Sequence, residues 1–427
     1  MRYNTYKIVT SALSPLIHAW LRIRMLQGKE SRERIGERFG FTKLARPQGT
    51  LLWLHAASVG EANSVLFLIE QIQARFPDVN ILLTTGTVTS AKLIEKRSPK
   101  NVIHQFVPVD TSEATNRFLR HWRPDIGFWV ESELWPNLII NAKARGCFML
   151  IINGRMSVRS YNSWQKFAVL MIYQMLNCFE LVFAQNENDA QRFRALGARN
   201  VRCVGNLKYD AAALPCNEAD LFSLQQAIGV RQLWLAASTH YNEEEELAKT
   251  HNILAATHPD LLTIIAPRHP SRGEEIAKML SAHGKTALRS RGDKITADTK
   301  FYIADTLGEL GLFYRLSEIV FMGGSLIKHG GQNPLEATRL RCCCITGPHT
   351  ENFSDIYAEM ENLSICLRVQ NAAELASKIN NLMHDSDLLT GMQMKAKEWL
   401  QGKIGAATKI IDIIAPIFAP VGIKGKP

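Results

Sequence analysis

A single carboxylate closes an apolar stretch near the start of the chain. Residues 52–61, LWLHAASVGE, pass from apolar side chains to small ones and end on Glu61. The following residues, ANSVLFLIEQI, place apolar side chains at helical spacing. A carboxylate in the first turn of a helix complements the helix dipole, and this is the simplest explanation of Glu61. The chemical alternative is proton transfer by a carboxylate that lies between a strand and a helix.

Polar and glycine-rich residues follow several apolar stretches of the chain, the first one included. These segments are SVGE (58–61), AASTH (236–240), APRHP (266–270), DTLGEL (305–310) and MGGS (322–325). An ordinary turn would explain any one of them. Ligands of parallel α/β sheets bind beyond the carboxyl ends of the strands, so the whole set together predicts a binding site.

The elements that must position these segments follow an α/β pattern. After residue 50, short apolar runs alternate with amphipathic segments such as EANSVLFLIEQIQARF, which predicts parallel sheets covered by helices on both faces. The pattern pauses after residue 207 and then restarts, so we predict two doubly wound, Rossmann-like domains that face each other across a cleft. The predicted divisions are a membrane-anchor segment at 1–35, an N-terminal domain at 36–206, a linker at 207–230 and a C-terminal domain at 231–427.

Length, composition and cysteine spacing limit the class of protein. A chain of 427 residues exceeds one typical core, and 46% hydrophobic with 21% charged residues is typical of a globular protein. None of the eight cysteines forms a CxxC pair, so neither a zinc site nor a thioredoxin-like motif is predicted. Scattered thiols in a large chain indicate a reducing cytosolic environment. The run 342–344, three consecutive cysteines, is predicted to be a buried strand.

Positive charge is concentrated at the N-terminus. Of the net charge of +10, residues 1–46 supply +7, from ten Lys or Arg and three Glu. The apolar stretch at 6–21 is interrupted by Pro15 and His18 and falls short of the ~20 residues of a spanning helix. No small-residue cleavage site follows, so a secretory signal is not expected. An apolar segment beside a basic run predicts an anchor on an anionic membrane surface. Nucleic acid is the less favoured partner, because no aromatic residues are interleaved with these charges.

Eight motifs, in order along nearly the whole chain, resemble those of the Kdo transferases. That family attaches 3-deoxy-D-manno-octulosonic acid (Kdo) to the lipid A precursor of lipopolysaccharide. The motifs are GERFG (36–40), LHAASVGE (54–61), ESELWPN (131–137), INGRMSVRS (152–160), GNLKYD (205–210), APRHP (266–270), DTLGELGLFY (305–314) and GGQNPLEA (330–337). The resemblance implies a GT-B fold, an acceptor-binding N-terminal domain and a CMP-Kdo-binding C-terminal domain. It also implies inverting transfer of Kdo from CMP-Kdo at the cytoplasmic face of the inner membrane.

By this resemblance, three residues carry the reaction. Glu61 matches the base that accepts the proton of the acceptor hydroxyl. Glu131, the first residue of ESELWPN, and Lys208, in GNLKYD, match groups that stabilise the transition state. Structural roles stay open at this point, since Glu131 could bond to backbone amides and Lys208 could be a solvated lysine. Glu133 could also replace Glu131, because alternation places both on one face if the strand continues.

The resemblance assigns donor binding to three segments of the second half. They are Arg268 and His269, then Gly308, Glu309 and Leu310, and finally Asn333, Pro334, Leu335 and Glu336, with Gly323–Ser325 as a weaker candidate. A guanidinium can bind phosphate oxygens through paired N–H groups, and a glycine lets backbone amides approach a nucleotide. Glu336 suits the ribose hydroxyls. Asn333 and Pro334 also suit the start of a helix, and both roles can hold together.

The chain departs from the family pattern at two places in the last motif. Gln332 stands where many relatives carry His, and Ala337 follows NPLE where many carry Pro. A Gln side chain cannot titrate, so we assign it no proton-transfer role. The segment TTGTVTSA (84–91) also matches the Thr-rich loop of the family only loosely, which leaves acceptor contacts there open.

The sequence predicts no metal or cofactor and leaves two alternative functions to consider. No Asp-x-Asp motif stands out among these segments, and Arg, His and Lys are available for the leaving phosphate, so neither a metal nor a cofactor is expected. A sugar-nucleotide epimerase of the same fold is the main alternative, but it needs no lipid acceptor and so does not explain the basic, apolar N-terminus. A non-catalytic nucleotide binder on the membrane is the third possibility. Glu61, Glu131 and Lys208 together argue against it.

Overall fold

The computed structural model describes residues 2–99 and 101–422, the last four of these without their side chains. The chain divides into two compact units. Unit 1 is the chain up to Ala211 together with the chain from Lys403 onward, and unit 2 is Ala212–Gly402. Each unit is built on one parallel sheet of seven strands.

The strands and helices alternate along both units. The strands of unit 1 are β1 (Leu51–His55), β2 (Asn80–Thr85), β3 (Val102–Phe106), β4 (Ile126–Val130), β5 (Phe148–Gly154), β6 (Leu181–Ala184) and β7 (Val201–Cys203). Its helices are α1 (Tyr3–Ala12), α2 (Ser14–Leu26), α3 (Val59–Arg75), α4 (Val88–Arg97), α5 (Ser112–Trp122), α6 (Pro136–Ala144), α7 (Val158–Phe167), α8 (Val169–Leu176) and α9 (Glu187–Ala195). The strands of unit 2 are β8 (Leu233–Thr239), β9 (Leu262–Pro267), β10 (Lys285–Leu288), β11 (Thr299–Ile303), β12 (Ile319–Met322), β13 (Cys343–Thr346) and β14 (Cys366–Arg368). Its helices are α10 (Glu218–Ile228), α11 (Glu243–Ala255), α12 (Gly273–Leu280), α13 (Leu310–Leu316), α14 (Pro334–Arg339), α15 (Ser354–Asn362), α16 (Ala372–His384) and α17 (Ser386–Lys403), after which α18 (Ala406–Gly422) returns to unit 1.

Both sheets are doubly wound. The strand order is β3-β2-β1-β4-β5-β6-β7 in unit 1 and β10-β11-β9-β8-β12-β13-β14 in unit 2. In unit 1 the chain winds outward from the central strand β1 to β3, and in unit 2 it passes from the central strand β8 to β9 and the edge strand β10 before β11 fills the place between them. In each sheet it then resumes on the other side of the central strand, at β4 or β12. Sheets of this kind bind ligands at the reversal point, beyond the carboxyl ends of the strands.

The continuous apolar runs form strands because both faces of each strand are covered. In β1, Leu51 and Trp53 lie in a core with α5, α6 and α8, whereas Leu52 and Leu54 lie in a second core with α3, α4 and α18. All five side chains of β1 are buried. The alternation of faces along a strand therefore needs no alternation of polarity in the sequence.

The apolar runs that predicted strands are LLWLHAAS, NILLTTGT, VIHQFVPV, DIGFWVES, FMLIING, LVFAQ and VRCVGN in the first half and QLWLAAST, LLTIIAPRHP, KFYIADTLG, IVFMGGS, CCCITG and SICLRV in the second. Each of them corresponds to a strand of the structure. The sequence did not predict β10, because this short strand at the sheet edge contains an exposed Lys285 and lacks an apolar run. The cysteines at 342–344 are buried, and the last two lie in β13, so the predicted buried strand is confirmed. The two sheets also confirm the predicted α/β class.

The compact units differ from the predicted boundaries near the C-terminus. The predicted domain 231–427 includes α18, but the apolar side chains of α18 are buried in the core that contains α3. The carboxylate of Asp210 also accepts the backbone N–H groups of Gly405, at 2.6 Å, and Ala407. The predicted linker 207–230 is divided in the same way, with its first turn in unit 1 and α10 in unit 2. Chain order alone does not reveal that the last helix crosses back.

The predicted N-terminal anchor segment consists of α1 and α2, which meet at Leu13. Tyr6 packs against the core of unit 1, and its hydroxyl donates to the buried carboxylate of Asp110 at 2.9 Å. The predicted separate segment 1–35 is therefore joined to unit 1 through α1. Within 2–99 and 101–422, no helix combines the length and hydropathy needed to cross a bilayer.

Candidate active site

The two carboxylates that the sequence assigns to catalysis flank the reversal point of the first sheet. Glu61 lies in the first turn of α3, soon after β1, and Glu131 directly follows β4. These two strands are hydrogen-bonded parallel neighbours. Because their carboxyl ends meet at one edge, the topology brings together two acidic residues that are far apart in the sequence.

The turn that begins α3 holds the side chain of Glu61. One carboxylate oxygen accepts the N–H of Ala57 at 2.8 Å, and the other accepts the hydroxyl of Ser58 at 2.9 Å. Ser58 is the N-cap of the helix and accepts the N–H of Glu61 at 3.3 Å. This reciprocal pairing is a form of capping box. The helix-start explanation of Glu61 is therefore correct, and the same contacts fix the carboxylate at the strand end.

Burial makes Glu61 a weaker acid than an exposed glutamate. Only 8% of the residue is exposed. Burial and, after it, the charge of Glu131 raise the pKa of Glu61 to about 7, against the opposing hydrogen bonds from Ala57 and Ser58. Near neutral pH this carboxyl is therefore shared between its two protonation states, which suits a group that must take up and later release a proton.

Glu131 pairs with the third predicted catalytic residue. Its backbone adopts φ +57°, which is uncommon outside glycine and ends the strand sharply. The Nζ atom of Lys208 lies 3.0 Å from Oε1 of Glu131, and the two side chains are 21% and 14% exposed. Lys208 is therefore an ion-paired residue at the sheet edge rather than a fully solvated lysine.

A small amide network places Lys208. The side-chain oxygen of Asn206 accepts the N–H of Lys208 at 3.0 Å, and the oxygen of Asn153 accepts the N–H of Leu207 at 2.9 Å. Asn206 in turn donates to the side chain of Gln185 at 3.1 Å. Asn153 belongs to INGRMSVRS and Lys208 to GNLKYD, so two of the sequence motifs meet here at the end of β5.

The structure does not support Glu133 as a replacement for Glu131. The alternation argument required the strand to continue, but β4 ends at Val130 and the chain turns at Glu131. Glu133 is exposed, and its main-chain oxygen accepts the indole N–H of Trp129 at 2.6 Å. The ion pair with Lys208 belongs to Glu131.

Imidazole and guanidinium groups gather at the reversal point of the second sheet. His240 follows β8, and the ring centroids of His329 and His269 lie 3.8 and 6.0 Å from its own. Burial lowers the pKa of His240 to about 4, and so do the neighbouring His329, His269, Arg268 and Arg272. An anion bound here would relieve the repulsion among these groups.

The first donor segment presents its side chains to solvent beside this cluster. The N–H of Arg268 donates to the oxygen of Thr239 at 2.9 Å, which joins the ends of β9 and β8. The side chains of Arg268 and His269 are exposed. The nearby Arg272 instead binds the buried carboxylate of Glu244 at 2.8 Å. Arg268 and His269 are therefore placed to meet a ligand, whereas Arg272 is engaged within the unit.

The loop with the weaker donor candidates, Gly323–Ser325, is held by a buried carboxylate of the same unit. The buried carboxylate of Glu243 accepts the N–H groups of Gly324 at 2.6 Å and Ser325 at 3.0 Å. It also accepts the N–H of His240 at 3.0 Å. A Cβ atom on Gly323 would lie 2.5 Å from a backbone oxygen of β8. The glycines thus permit close packing, and these two amides are already bonded to a carboxylate of the same unit.

The segment Asn333–Glu336 begins α14. The side-chain oxygen of Asn333 accepts the N–H of Leu335 at 3.1 Å, so the predicted capping role is present. Pro334 and Leu335 are buried and belong to the core. Glu336 is half-buried in the first turn. Of the four, Asn333 and Glu336 are therefore the side chains that a ligand can reach.

The segment at 308–310 follows β11, and its carboxylate, that of Glu309, is already paired with an arginine of the same unit. Gly308 has φ +88°, and a Cβ atom there would meet no atom of the described residues within 4 Å, so the backbone conformation explains the glycine. Glu309 accepts two hydrogen bonds from Arg289, at 2.8 and 3.2 Å, and one from the Thr306 hydroxyl. The hydrogen bond from Arg289 lowers the pKa of Glu309. Leu310 is the first residue of α13.

Sequence reasoning missed part of the cluster in unit 2. It did not single out His240 or His329, although both follow strands of the second sheet in AASTH and in the run after MGGS. Gln332 was noted only as a departure from the family pattern. Its Nε2 atom lies 3.1 Å from Nε2 of His240, so it contacts the central ring of the cluster.

Comparison with known proteins identifies relatives along nearly the whole chain. The family model of the 3-deoxy-D-manno-octulosonic-acid transferases matches residues 33–211. The 3-deoxy-D-manno-octulosonic acid transferase of Rickettsia bellii is 34% identical over 416 residues, which cover 97% of this chain and 99% of the relative.

Solved structures share the architecture at much lower identity. A glycosyltransferase from Rickettsia africae matches with a TM-score of 0.57 and 12% identity, over 87% of this chain and 99% of the other. The UDP-GlcNAc 2-epimerase from Neisseria meningitidis bound to UDP-GlcNAc matches with a TM-score of 0.56 and 14% identity, over 85% and 98%. These two likenesses show the fold alone, and the epimerase alternative rests on nothing further. The sequence relationship decides the matter: the chain belongs to the 3-deoxy-D-manno-octulosonic acid transferase family and is a glycosyltransferase.

Proposed function

We propose that this protein transfers Kdo from CMP-Kdo to a lipid A precursor in lipopolysaccharide biosynthesis, with inversion at the anomeric carbon. The reaction takes place at the cytoplasmic face of the inner membrane. Family membership supports the class of reaction. The side chains at the two sheet edges support a division of labour, in which unit 1 acts on the acceptor hydroxyl and unit 2 binds the donor.

The observation that carries the proposal is the setting of Glu61. This carboxylate lies at the reversal point of a doubly wound sheet, is almost fully buried and has a pKa raised to about 7. The ion pair of Glu131 with Lys208 lies at the same edge. A general base works best when its pKa lies near the pH of the reaction, and Glu61 meets that condition.

The proposed step balances as a displacement at the anomeric carbon. The acceptor oxygen forms a bond to that carbon while its proton passes to Glu61. The bond from the same carbon to the phosphate oxygen breaks, and CMP leaves with the electron pair. Attack opposite the leaving group inverts the configuration. Lys208, oriented by Glu131, offers positive charge to the negative charge that the sugar carboxylate and the departing phosphate carry.

Unit 2 offers the groups that a nucleotide monophosphate needs. Arg268 can bind phosphate oxygens through paired N–H groups. The rings of His269 and His329 lie close to that of His240, on which the charge of Arg268 also acts. Glu336 can accept hydrogen bonds from ribose hydroxyls. Since Arg268 can supply positive charge to the leaving phosphate, the proposed step includes no metal ion and no cofactor.

The test is transfer by the purified chain from CMP-Kdo to a detergent-dispersed lipid A precursor, followed by mass spectrometry of the lipid. We expect the wild-type lipid to gain the mass of Kdo. Glu61→Gln should lower turnover by ~100-fold or more, because it keeps the shape of the side chain but cannot accept the proton.

Glu70→Gln is the matched control for this substitution, since Glu70 lies exposed on the same helix. It should leave turnover at the wild-type rate. Near-normal turnover of Glu61→Gln would remove Glu61 from the role of base, and the absence of any lipid product from the wild-type chain would overturn the proposed function itself.

The membrane location rests on the exposed face of α1 and α2. Ile8, Leu16 and Leu26 are 69%, 66% and 79% exposed, and residues 2–29 contain five Lys or Arg and no acidic residue. Exposed apolar side chains among positive charges suit the interface of an anionic bilayer. A lipid acceptor could then be used without leaving its membrane.

Replacing Leu16 and Leu26 by Ser should reduce partition onto vesicles that contain phosphatidylglycerol, because each leucine loses apolar surface that lipid would cover. Sedimentation with such vesicles measures the partition. Leu363→Ser, at a 46% exposed leucine of unit 2, is the control. Equal partition of wild type and the double variant would show that the anchor lies elsewhere. Arg24 is unsuitable for this test, because it ion-pairs with the buried Glu30 at 2.9 Å.

A further inference from the structure

The junction of α7 and α8 exposes a group of apolar side chains. The first helix ends at Phe167 and the second begins at Val169, with Ala168 at φ −150° and ψ 38° between them. Phe167 is 68% exposed, and Val169 and Leu170 are each 52% exposed. We name residues 166–170 the apolar corner.

The rest of this helix pair is well anchored, so the exposure does not arise from loose packing. Met171, Ile172 and Met175 are buried in the core of unit 1, within two turns of the corner. Tyr161 and Trp164 of α7 pack against the same core. A fixed corner that holds one aromatic and two aliphatic side chains toward solvent is the feature to explain.

The charges of the chain segment that contains the corner indicate what covers it. Residues 155–179 contain Arg155, Arg159 and Lys166 and no aspartate or glutamate. The ammonium group of Lys166 lies 5.3 Å from the centre of the Phe167 ring. An aromatic ring with aliphatic neighbours and a lysine beside it is the combination found where proteins meet the interface of a bilayer.

We propose that the apolar corner inserts into the acyl region of an anionic phospholipid bilayer and forms a membrane contact separate from α1 and α2. The proposal rests on the proposed function, which supplies a lipid acceptor. The helix α7, which ends in the corner, follows β5, the neighbour of β4 in the sheet. It therefore starts at the carboxyl end of the sheet, where Glu61 and Glu131 lie, and belongs to the unit that acts on the acceptor.

The test compares two exposed phenylalanines in opposite electrostatic settings. Phe167→Ser/Leu170→Ser removes the apolar side chains of the corner. Phe222→Ser is the matched control, because Phe222 is 64% exposed in unit 2 and stands near Glu218 and Asp220. Partition coefficients are measured on vesicles of phosphatidylcholine with and without phosphatidylglycerol.

We expect the double variant to partition at least ~10-fold more weakly onto the anionic vesicles and the control to stay within about twofold of wild type. Lys166→Gln should give a smaller loss that disappears at high salt. The free energies of two independent membrane contacts add, so each contact contributes its own factor to the partition coefficient. Loss of the corner should therefore lower the coefficient even though α1 and α2 are retained. Equal partition of the double variant and wild type would overturn the proposal.

A second copy of the chain is the competing occupant of the corner, and light scattering in solution separates it. A wild-type dimer that the double variant abolishes would also overturn the proposal. Transfer to a detergent-dispersed acceptor needs no membrane contact, so it tests the proposed function separately from the membrane contact of the apolar corner. The double variant should retain that activity, and only a wild-type chain without it would count against the proposed function.

Discussion

The two reversal points share a topology and carry opposite chemistry. In unit 1, the edge beyond β1 and β4 holds the carboxylates of Glu61 and Glu131, and Lys208 is ion-paired with Glu131. In unit 2, the edge beyond β8 and β12 holds the rings of His240 and His329 with exposed Arg268 close by. The doubly wound sheet fixes where side chains converge, and the residues at the strand ends decide what they can bind.

Burial shifts the pKa in opposite directions at the two edges. It raises the pKa of Glu61 to about 7 and lowers the pKa of His240 to about 4. In both cases the neutral form gains, because charge is costly away from water and like charges lie nearby. The raised pKa of Glu61 suits a proton acceptor in unit 1, and the positive neighbours that lower the pKa of His240 favour an anionic ligand in unit 2.

The largest effect is expected from Lys208→Met, which breaks the pairing in unit 1. The substitution leaves Glu131 without its cation and removes the positive charge offered to the reacting groups. We expect turnover to fall by ~100-fold or more, in the range seen when one stabilising donor is removed. Single-turnover transfer in detergent measures the effect.

A double substitution separates the structural part of this loss from the chemical part. Lys208→Met/Glu131→Gln restores neutrality, so its melting temperature should recover toward wild type. Its turnover should not recover. If turnover returned together with stability, the lysine would serve only to balance the charge of Glu131.

In unit 2, Arg268→Ala should weaken CMP binding by roughly 1.5–3 kcal/mol, about 10- to 150-fold, because a hydrogen-bonded charge pair is lost. Glu61→Gln should leave CMP affinity unchanged, which isolates the donor function in unit 2. Calorimetry measures both. Arg291→Ala is the control, since Arg291 is exposed and pairs with Glu274 in the same unit. Equal losses for Arg268→Ala and Glu61→Gln would contradict the division of labour.

A smaller effect is expected from Glu309→Gln. The resemblance placed Glu309 in the donor site, but its carboxylate is bonded to Arg289. We therefore expect CMP affinity to change by less than about threefold, with a stability loss of ~1 kcal/mol from the weakened ion pair. Thermal unfolding and calorimetry check the two parts. A loss of affinity as large as that of Arg268→Ala would return Glu309 to the donor site.

Most of the fold could be predicted from the sequence, because strands covered on both faces appear as continuous apolar runs. The exceptions have physical causes. The strand β10 reads KTAL and pairs only at a sheet edge, so it carries no such run. The crossing of α18 back to unit 1 depends on packing against α3 and on Asp210, and neither leaves a local pattern in the sequence.

The site was predictable at the level of single residues and less so at the level of contacts. Position at a strand end marked Glu61, and motif resemblance marked Glu131 and Lys208. The contact of His329 with His240 joins distant parts of the chain, and no spacing rule indicates it. The choice of Glu131 over Glu133 depended on the backbone turn at Glu131, because the strand ends at Val130 and does not continue to Glu133 as alternation assumed.

The pH dependence of the transfer step tests the central claim most directly. A base with a pKa of about 7 must lose its proton to act, so the single-turnover rate of the wild type should rise with pH and level off above about pH 7. In Glu131→Gln, the carboxylate charge that helps to raise the pKa of Glu61 is gone, so the rise should move to lower pH whatever the absolute rate. In Glu61→Gln, the rise should be absent. A rise that stays at the same pH in all three proteins would show that another group titrates and that Glu61 is not the base.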